Sequence, residues 1–217
     1  MHRYKIWDLP TRVFHWALAA AVCAAILTAK VGGEAMVWHM RAGYLILSLV
    51  AFRLVWGFMG GHWSQFRHWP LSAGAWIRYI TGRSTPADTA GHTPSGSLAI
   101  IAMLLVIGVQ VATGLVADDE IATTGPFAGQ VSANVSSLAT NYHHEWGQWL
   151  LLGLIGLHLA AIAFYRWIKQ LDLVGSMVHG DKPLSETVPT SRDTGRARGL
   201  ALAIWMACCA AVAWWVG

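Results

Sequence analysis

Five apolar runs constrain this chain more than any other feature: approximately Val13–Val31, Trp38–Phe58, Gly96–Ala117, His144–Ile168 and Gly199–Gly217. Each is near the ~20 residues that a helix needs to cross ~30 Å of hydrocarbon. Lipid offers no hydrogen-bond partners, so backbone groups must be satisfied within each segment, and the runs must be helices. Composition agrees: 55% of residues are hydrophobic and 12% charged, against about 45–50% and about 25% in soluble domains. Thirteen tryptophans add the side chain favoured at membrane interfaces. The expected fold is an all-α membrane protein.

The charges orient it. Thirteen of the fifteen Lys and Arg residues fall before the first run, around the end of the second and the loop after it, or after the fourth. Only Lys30 and Arg41 lie on the opposite side, where the long loop carries Asp118, Asp119 and Glu120. The positive-inside rule then places the N-terminus in the cytoplasm and, with five spans, the C-terminus outside. This distribution accounts for the net charge of +4 without nucleic acid as a partner. "ALAAAVCAA" imitates a signal-peptide core, but the His, Trp and charged residues before it argue against cleavage. "HWSQFRHWPLSAGAWIRYITGR" suits a short interfacial helix, and the polar "DKPLSETVPTSRDTGRARG" reads as a linker to the last span.

Ten histidines are present. His2, His62, His68, His92 and His179 fall in loops or interfaces, where solvation explains them. His15, His39, His143, His144 and His158 lie in or at the edges of spans, where ionisable residues are costly and mark function. His144 and His158 are 14 residues apart, which returns to within ~40° of one helix face and separates them by roughly 21 Å along the axis. His143 is the competitor, with an offset of ~60°, so His144 is favoured. The first helix runs outward and places His15 level with His158; the second runs inward and places His39 level with His144. Two facing pairs result, His15/His158 and His39/His144. Polar contacts between spans would explain one histidine better than four in two matched pairs.

An imidazole pair leaves most positions of a metal open, whereas haem supplies four nitrogens and needs two more ligands. Bundles hold such cofactors between facing helices. No C-x-x-C-H occurs, so attachment is non-covalent, and Cys23, Cys208 and Cys209 lie in apolar runs without a zinc pattern. Arg53, 14 residues after His39, and Arg12, one turn before His15, are candidate partners for haem propionates; headgroup anchoring is the competing role for both. Gly43, Gly147, Gly153 and Gly156 would admit a flat macrocycle, although glycine also serves close helix packing.

At these residues the chain resembles the bacterial di-haem cytochrome b family that includes the membrane subunits of Ni/Fe-hydrogenases. The likeness covers about residues 4–182 and rests on "WDLPTRVFHW", "HMRAGYLILSLVAFRLVWGFMG", "TGLVADDE", the His144/His158 spacing and "FYRWIKQLDLVGSMVHG". It implies two b-type haems held by His15, His39, His144 and His158. It also implies respiratory electron transport across the bacterial inner membrane, between the quinone pool and a periplasmic redox partner. The expected organisation is a four-helix haem-binding domain over residues 1–182, a cytoplasmic linker over 183–198, and a fifth transmembrane helix over 199–217 that is extra to the family core. Asp118–Glu120 suits docking to a basic patch on the partner, although a solvated loop explains it equally. Two alternatives stand beside this reading. One is a haem-free transporter or channel with a histidine relay, which the lack of Asp and Glu in the span interiors opposes, Glu145 sitting at the outer edge. The other is a stand-alone quinol oxidoreductase.

Overall fold

The first helix begins where Asp8 caps it. In the computed structural model, which describes residues 2–121 and 123–217, Asp8 Oδ1 accepts from the Thr11 backbone N–H at 2.8 Å. That bond satisfies one of the orphan donors of a helix start. Pro10 in the first turn costs nothing, because its missing N–H had no helical partner there. The helix therefore starts four residues before the apolar run does.

Along the chain come strand β1 (His2–Lys5), helices α1 (Leu9–Val31), α2 (Met36–Met59), α3 (Ala73–Ile80), α4 (Pro86–Thr89), α5 (Pro94–Val116), α6 (Ala133–Asn141), α7 (Gln148–Trp167) and α8 (Leu173–His179), strand β2 (Asp181–Leu184), and helix α9 (Gly195–Val216). A π-helical turn, Tyr142–Gly147, joins α6 to α7. Among the described residues, five stretches are long and apolar enough to span a bilayer: Leu9–Val31, Gly33–Met59, Pro86–Val116, Ala133–Trp167 and Gly195–Val216. Large apolar side chains such as Leu27, Leu105 and Leu157 are more than 60% exposed along them, the surface that lipid covers. The chain is a multi-pass all-α membrane protein.

Two compact units divide the residues, and each long helix contributes to both. The first comprises residues up to His15, Phe52–Ala102 and Leu157–Ile204. Its core gathers Ile6, Trp7, Trp63, Ala90 and Val188. Beside them Asp8, fully buried, accepts from the Gly61 N–H at 2.8 Å, the Ser64 hydroxyl at 2.8 Å and the Trp56 indole at 3.3 Å. The start of α1 is thereby tied to the turn after α2. β1 and β2 pair antiparallel, His2 opposite Leu184 and Lys5 opposite Asp181, with a Lys5–Asp181 ion pair at 2.9 Å. Lys182 Nζ donates to the Thr89 and Ala90 carbonyls, and burial pushes its ammonium down to about 8.

The polar stretch after β2 is held along its length. Ser191 donates from Oγ to the Ile6 carbonyl at 2.6 Å and from N to the Lys5 carbonyl at 2.7 Å. The Trp63 indole donates to the Pro189 carbonyl at 2.8 Å, and Val188 is buried. The expected interfacial segment forms α3, capped by the Ser72 hydroxyl.

The second unit comprises Trp16–Ala51, Met103–Gly156 and Trp205–Gly217. Its core packs Ala21 and Val22 of α1, Ile46 of α2, Ile107 of α5 and Leu151 of α7. Helix α9 supplies none of this cluster and meets a loop through Trp215 on Phe127, with ring centres 4.7 Å apart.

Candidate functional site

Each unit holds one pair of histidines. In the first, His15 of α1 and His158 of α7 face each other with ring centres 6.3 Å apart and planes at 54°. Arg12, one turn before His15, donates from Nη1 to the Val178 carbonyl at 2.6 Å, and its Nε is buried with no hydrogen-bond partner. Arg53 of α2 is only 3% exposed. Its Nη2 donates to the Ser64 carbonyl at 3.1 Å, its guanidinium lies 4.7 Å from the Phe66 ring centre, and its Nη1 is buried without a partner. Buried donors are rarely left unmatched. Two guanidiniums with donors to spare suit a carboxylate.

In the second unit, His39 of α2 faces His143 in the π-helical turn, with ring centres 6.0 Å apart and planes at 89°. His39 Nδ1 lies 2.9 Å from the Ala25 carbonyl, and His143 Nδ1 lies 2.8 Å from the Gln110 carbonyl. A carbonyl oxygen only accepts, so each Nδ1 carries the proton and each Nε2 keeps its lone pair. This is the tautomer that a metal-binding imidazole adopts when its other nitrogen is anchored. Gly114 of α5 makes room for the His143 ring, because a Cβ there would lie 2.7 Å from Cε1. At Gly43, one turn after His39, and at Gly153 and Gly156 of α7, a Cβ would meet nothing within 4 Å.

The two spacings would leave room for one metal ion between each pair of rings. Two metal–nitrogen bonds of about 2 Å each, plus about 1.1 Å from each nitrogen to its ring centre, separate the ring centres by about 6.2 Å when ligands stand on opposite sides. The observed values are 6.3 and 6.0 Å. Among the described residues no group of three or more His, Cys, Asp or Glu could hold an ion. Among the described residues each pair offers two nitrogens, so a group bound there would have to bring the rest of its coordination with it. Haem does so.

His144 is not where the helical spacing puts it. It is exposed, and with Asp118, Glu120 and Glu145 it lines a polar hollow. The ring opposite His39 is His143. The expectation carried 100° per residue through Tyr142–Gly147, but a π-helical turn accommodates about one residue more than an α-turn. Counted back from buried Leu151, a regular helix would bring His144, seven residues earlier, to the inward face. The wide turn shifts that position to His143. The structure thus brings together His15 with His158 and His39 with His143, with Arg12 and Arg53 in the same unit as the first pair. Gln110 and Gly114 escape a sequence reading, because a polar residue and a glycine in an apolar span carry no sign of which histidine they touch.

The other histidines belong to neither pair, although His92 packs on Trp69, the ring that Arg53 also covers. His62 and His68 stack with ring centres 3.8 Å apart, and His92 packs on Trp7 at 4.6 Å. The acidic loop is partly self-satisfied: Asp119 Oδ1 accepts from the Ile121 and Thr123 N–H groups, and Asp118 Oδ1 from that of Glu120.

Residues 6–180 match the family described as prokaryotic cytochrome b561. Among curated relatives, a probable Ni/Fe-hydrogenase B-type cytochrome subunit of Azotobacter chroococcum mcd 1 is 23% identical over 216 residues, covering 85% of this chain and 90% of the relative. The protein of the same description from Rhizobium leguminosarum bv. viciae is 22% identical, with coverages of 82% and 87%. A probable Ni/Fe-hydrogenase 1 B-type cytochrome subunit of Escherichia coli (strain K12) is 21% identical, with coverages of 82% and 89%. No solved structure matches the chain.

Proposed function

Because the chain belongs to the prokaryotic cytochrome b561 family and is a membrane electron-transfer protein carrying haem b, we propose that it holds two haems and carries electrons between a membrane quinone and a periplasmic redox partner. The observation that carries this reading is the pair of imidazole spacings, 6.3 and 6.0 Å, each without a third His, Cys, Asp or Glu ligand among the described residues. Family membership sets aside the haem-free transporter. Bound haem supplies a reversible one-electron couple of its iron.

The chain's own residues do the rest. His15 and His158 would ligate one iron; His39 and His143, fixed in the Nε2-available tautomer, would ligate the other. The spare donors of Arg12 and Arg53 would hold propionates of the first. Burial among apolar helices and these fixed charges would set the potentials. The charge distribution supports a location in the bacterial inner membrane with the N-terminus cytoplasmic. The opposite side then holds the loop at Asp118–Glu120, where acidic groups would steer a basic partner. The relatives' descriptions make a hydrogenase one candidate for that partner.

The test is reduction by quinol. In lipid nanodiscs, a reduced short-chain quinone should develop the reduced b-haem absorption within seconds, and His15→Ala and His39→Ala should each diminish it. Reduction by dithionite but not by quinol would overturn the quinone assignment.

A further inference from the structure

The wide turn at Tyr142–Gly147 decides which of two adjacent histidines faces His39, so whatever holds that turn selects the ligand. Gln110 of α5 touches it in two places. Its side-chain Nε2 donates to the His143 carbonyl at 2.9 Å, and its own carbonyl accepts from His143 Nδ1 at 2.8 Å. One residue therefore grips both the backbone and the ring of His143. The amide orientation follows from the chemistry, since the His143 carbonyl only accepts and the group facing it must be the NH₂.

The surroundings fit this clamp. A Cβ at Gly147 would run into Gln110 Oε1 and lie 2.7 Å from a Tyr142 ring carbon, so a glycine there lets the amide lie against the turn. Gly114, one turn after Gln110, clears the space beside Cε1 of the same imidazole. Gln110 Oε1 is itself buried without a partner. An apolar side chain would fill that volume without an orphaned oxygen, so what glutamine adds lies in its bond to His143. A carbonyl held from outside the helix is free of the regular i→i+4 ladder, which is the condition for a π-turn to persist.

We infer that Gln110 is a positioning residue: by clamping the His143 carbonyl it keeps the π-turn open and presents His143, in place of His144, to the iron shared with His39. This rests on the two-haem reading above. When the clamp is removed, the turn closes toward a regular α-helix, and the phase count from Leu151 brings His144 to the inward face. Gln110 is thus the element that chooses between neighbouring imidazoles.

The experiment compares Gln110→Met, which keeps the length but cannot donate, with the parent and with His143→Ala. Low-spin ferric EPR and haem transfer to an excess of an apo-globin are the readouts. Anchors of metal-binding histidines typically contribute 10–100-fold in affinity. The expected result in Gln110→Met is haem loss from the His39 site accelerated by about 10–100-fold, a shifted EPR signal for that site, and an unchanged signal for the His15/His158 site. Adding His144→Ala should abolish the residual binding, although His144→Ala alone is silent. Gly147→Ala presses the same clamp from the other side and serves if Gln110→Met does not accumulate. An unchanged transfer rate and EPR signal in both variants, with haem lost in His143→Ala, would overturn the role of Gln110 and leave the haem reading intact. Full haem retention in His143→Ala would overturn the ligand assignment itself, and the clamp with it.

Discussion

His143→Ala should lose one haem per chain, and His144→Ala should lose none. The two residues are neighbours of identical chemistry, so the contrast depends on geometry alone. His143 lies opposite His39, its Nδ1 is anchored on the Gln110 carbonyl, and its ring fits beside Gly114. His144 is exposed beside the acidic loop. Removing an axial ligand leaves the iron with a single imidazole, and non-covalently held haem then partitions into the detergent or lipid. His39→Ala should match His143→Ala, and the double variant should lose no more than either, because both residues serve one iron. Haem per protein, from the pyridine haemochrome spectrum of the purified variants, checks all four. A haem lost in His144→Ala would mean that the π-turn is closed in the loaded protein.

Asp8→Ala should cost as much stability as truncating a large apolar core residue in the same unit. Asp8 has no exposed surface and accepts four bonds, from Thr11, Trp56, Gly61 and Ser64. Those donors come from the first turn of α1, the last turns of α2 and the segment after it. Each donor left unsatisfied costs roughly 1–3 kcal/mol. Ser64 also gives its carbonyl to Arg53, so the loss would reach the buried guanidinium. A combined loss on the order of 4 kcal/mol is a large share of the about 5–15 kcal/mol that holds a domain together. Thermal unfolding in detergent should show a marked fall in midpoint and poor accumulation. Asp8→Asn should be intermediate, because its amide keeps one accepting oxygen but replaces the other with an NH₂ that faces groups which themselves donate. An unchanged midpoint in Asp8→Ala would show that the capping cluster is dispensable.

Much of this organisation was legible in the sequence because its causes are local. Five apolar runs of spanning length force five helices, and a uniform helical phase suffices to bring His15 and His158 to facing positions. Arg53 stood out for a related reason: it is a charge inside an apolar run, 14 residues after His39. The structure places His143 opposite His39 where the spacing favoured His144, because one π-turn changes the phase by a residue, and Gln110, which contacts that turn, lies on another helix. Gln110 is distant in sequence from His143 and Gly147, so no local pattern links it to the turn. The β1–β2 ribbon and the tethering of residues 185–194 were illegible for a related reason. Four-residue strands rich in charge carry no periodicity, and the contacts of Ser191 with Ile6 and Lys5 span more than 180 residues of chain.

The measurement that bears most directly on the central claim is the haem stoichiometry of the unaltered protein, read together with a potentiometric titration of the reduced absorption. Acid–acetone extraction should release two b-type haems per chain, and the titration should resolve into two one-electron steps. His158→Ala should then leave one haem and one step. A single haem per chain in the unaltered protein would contradict a ligating role for one of the pairs, and no extractable haem would contradict both.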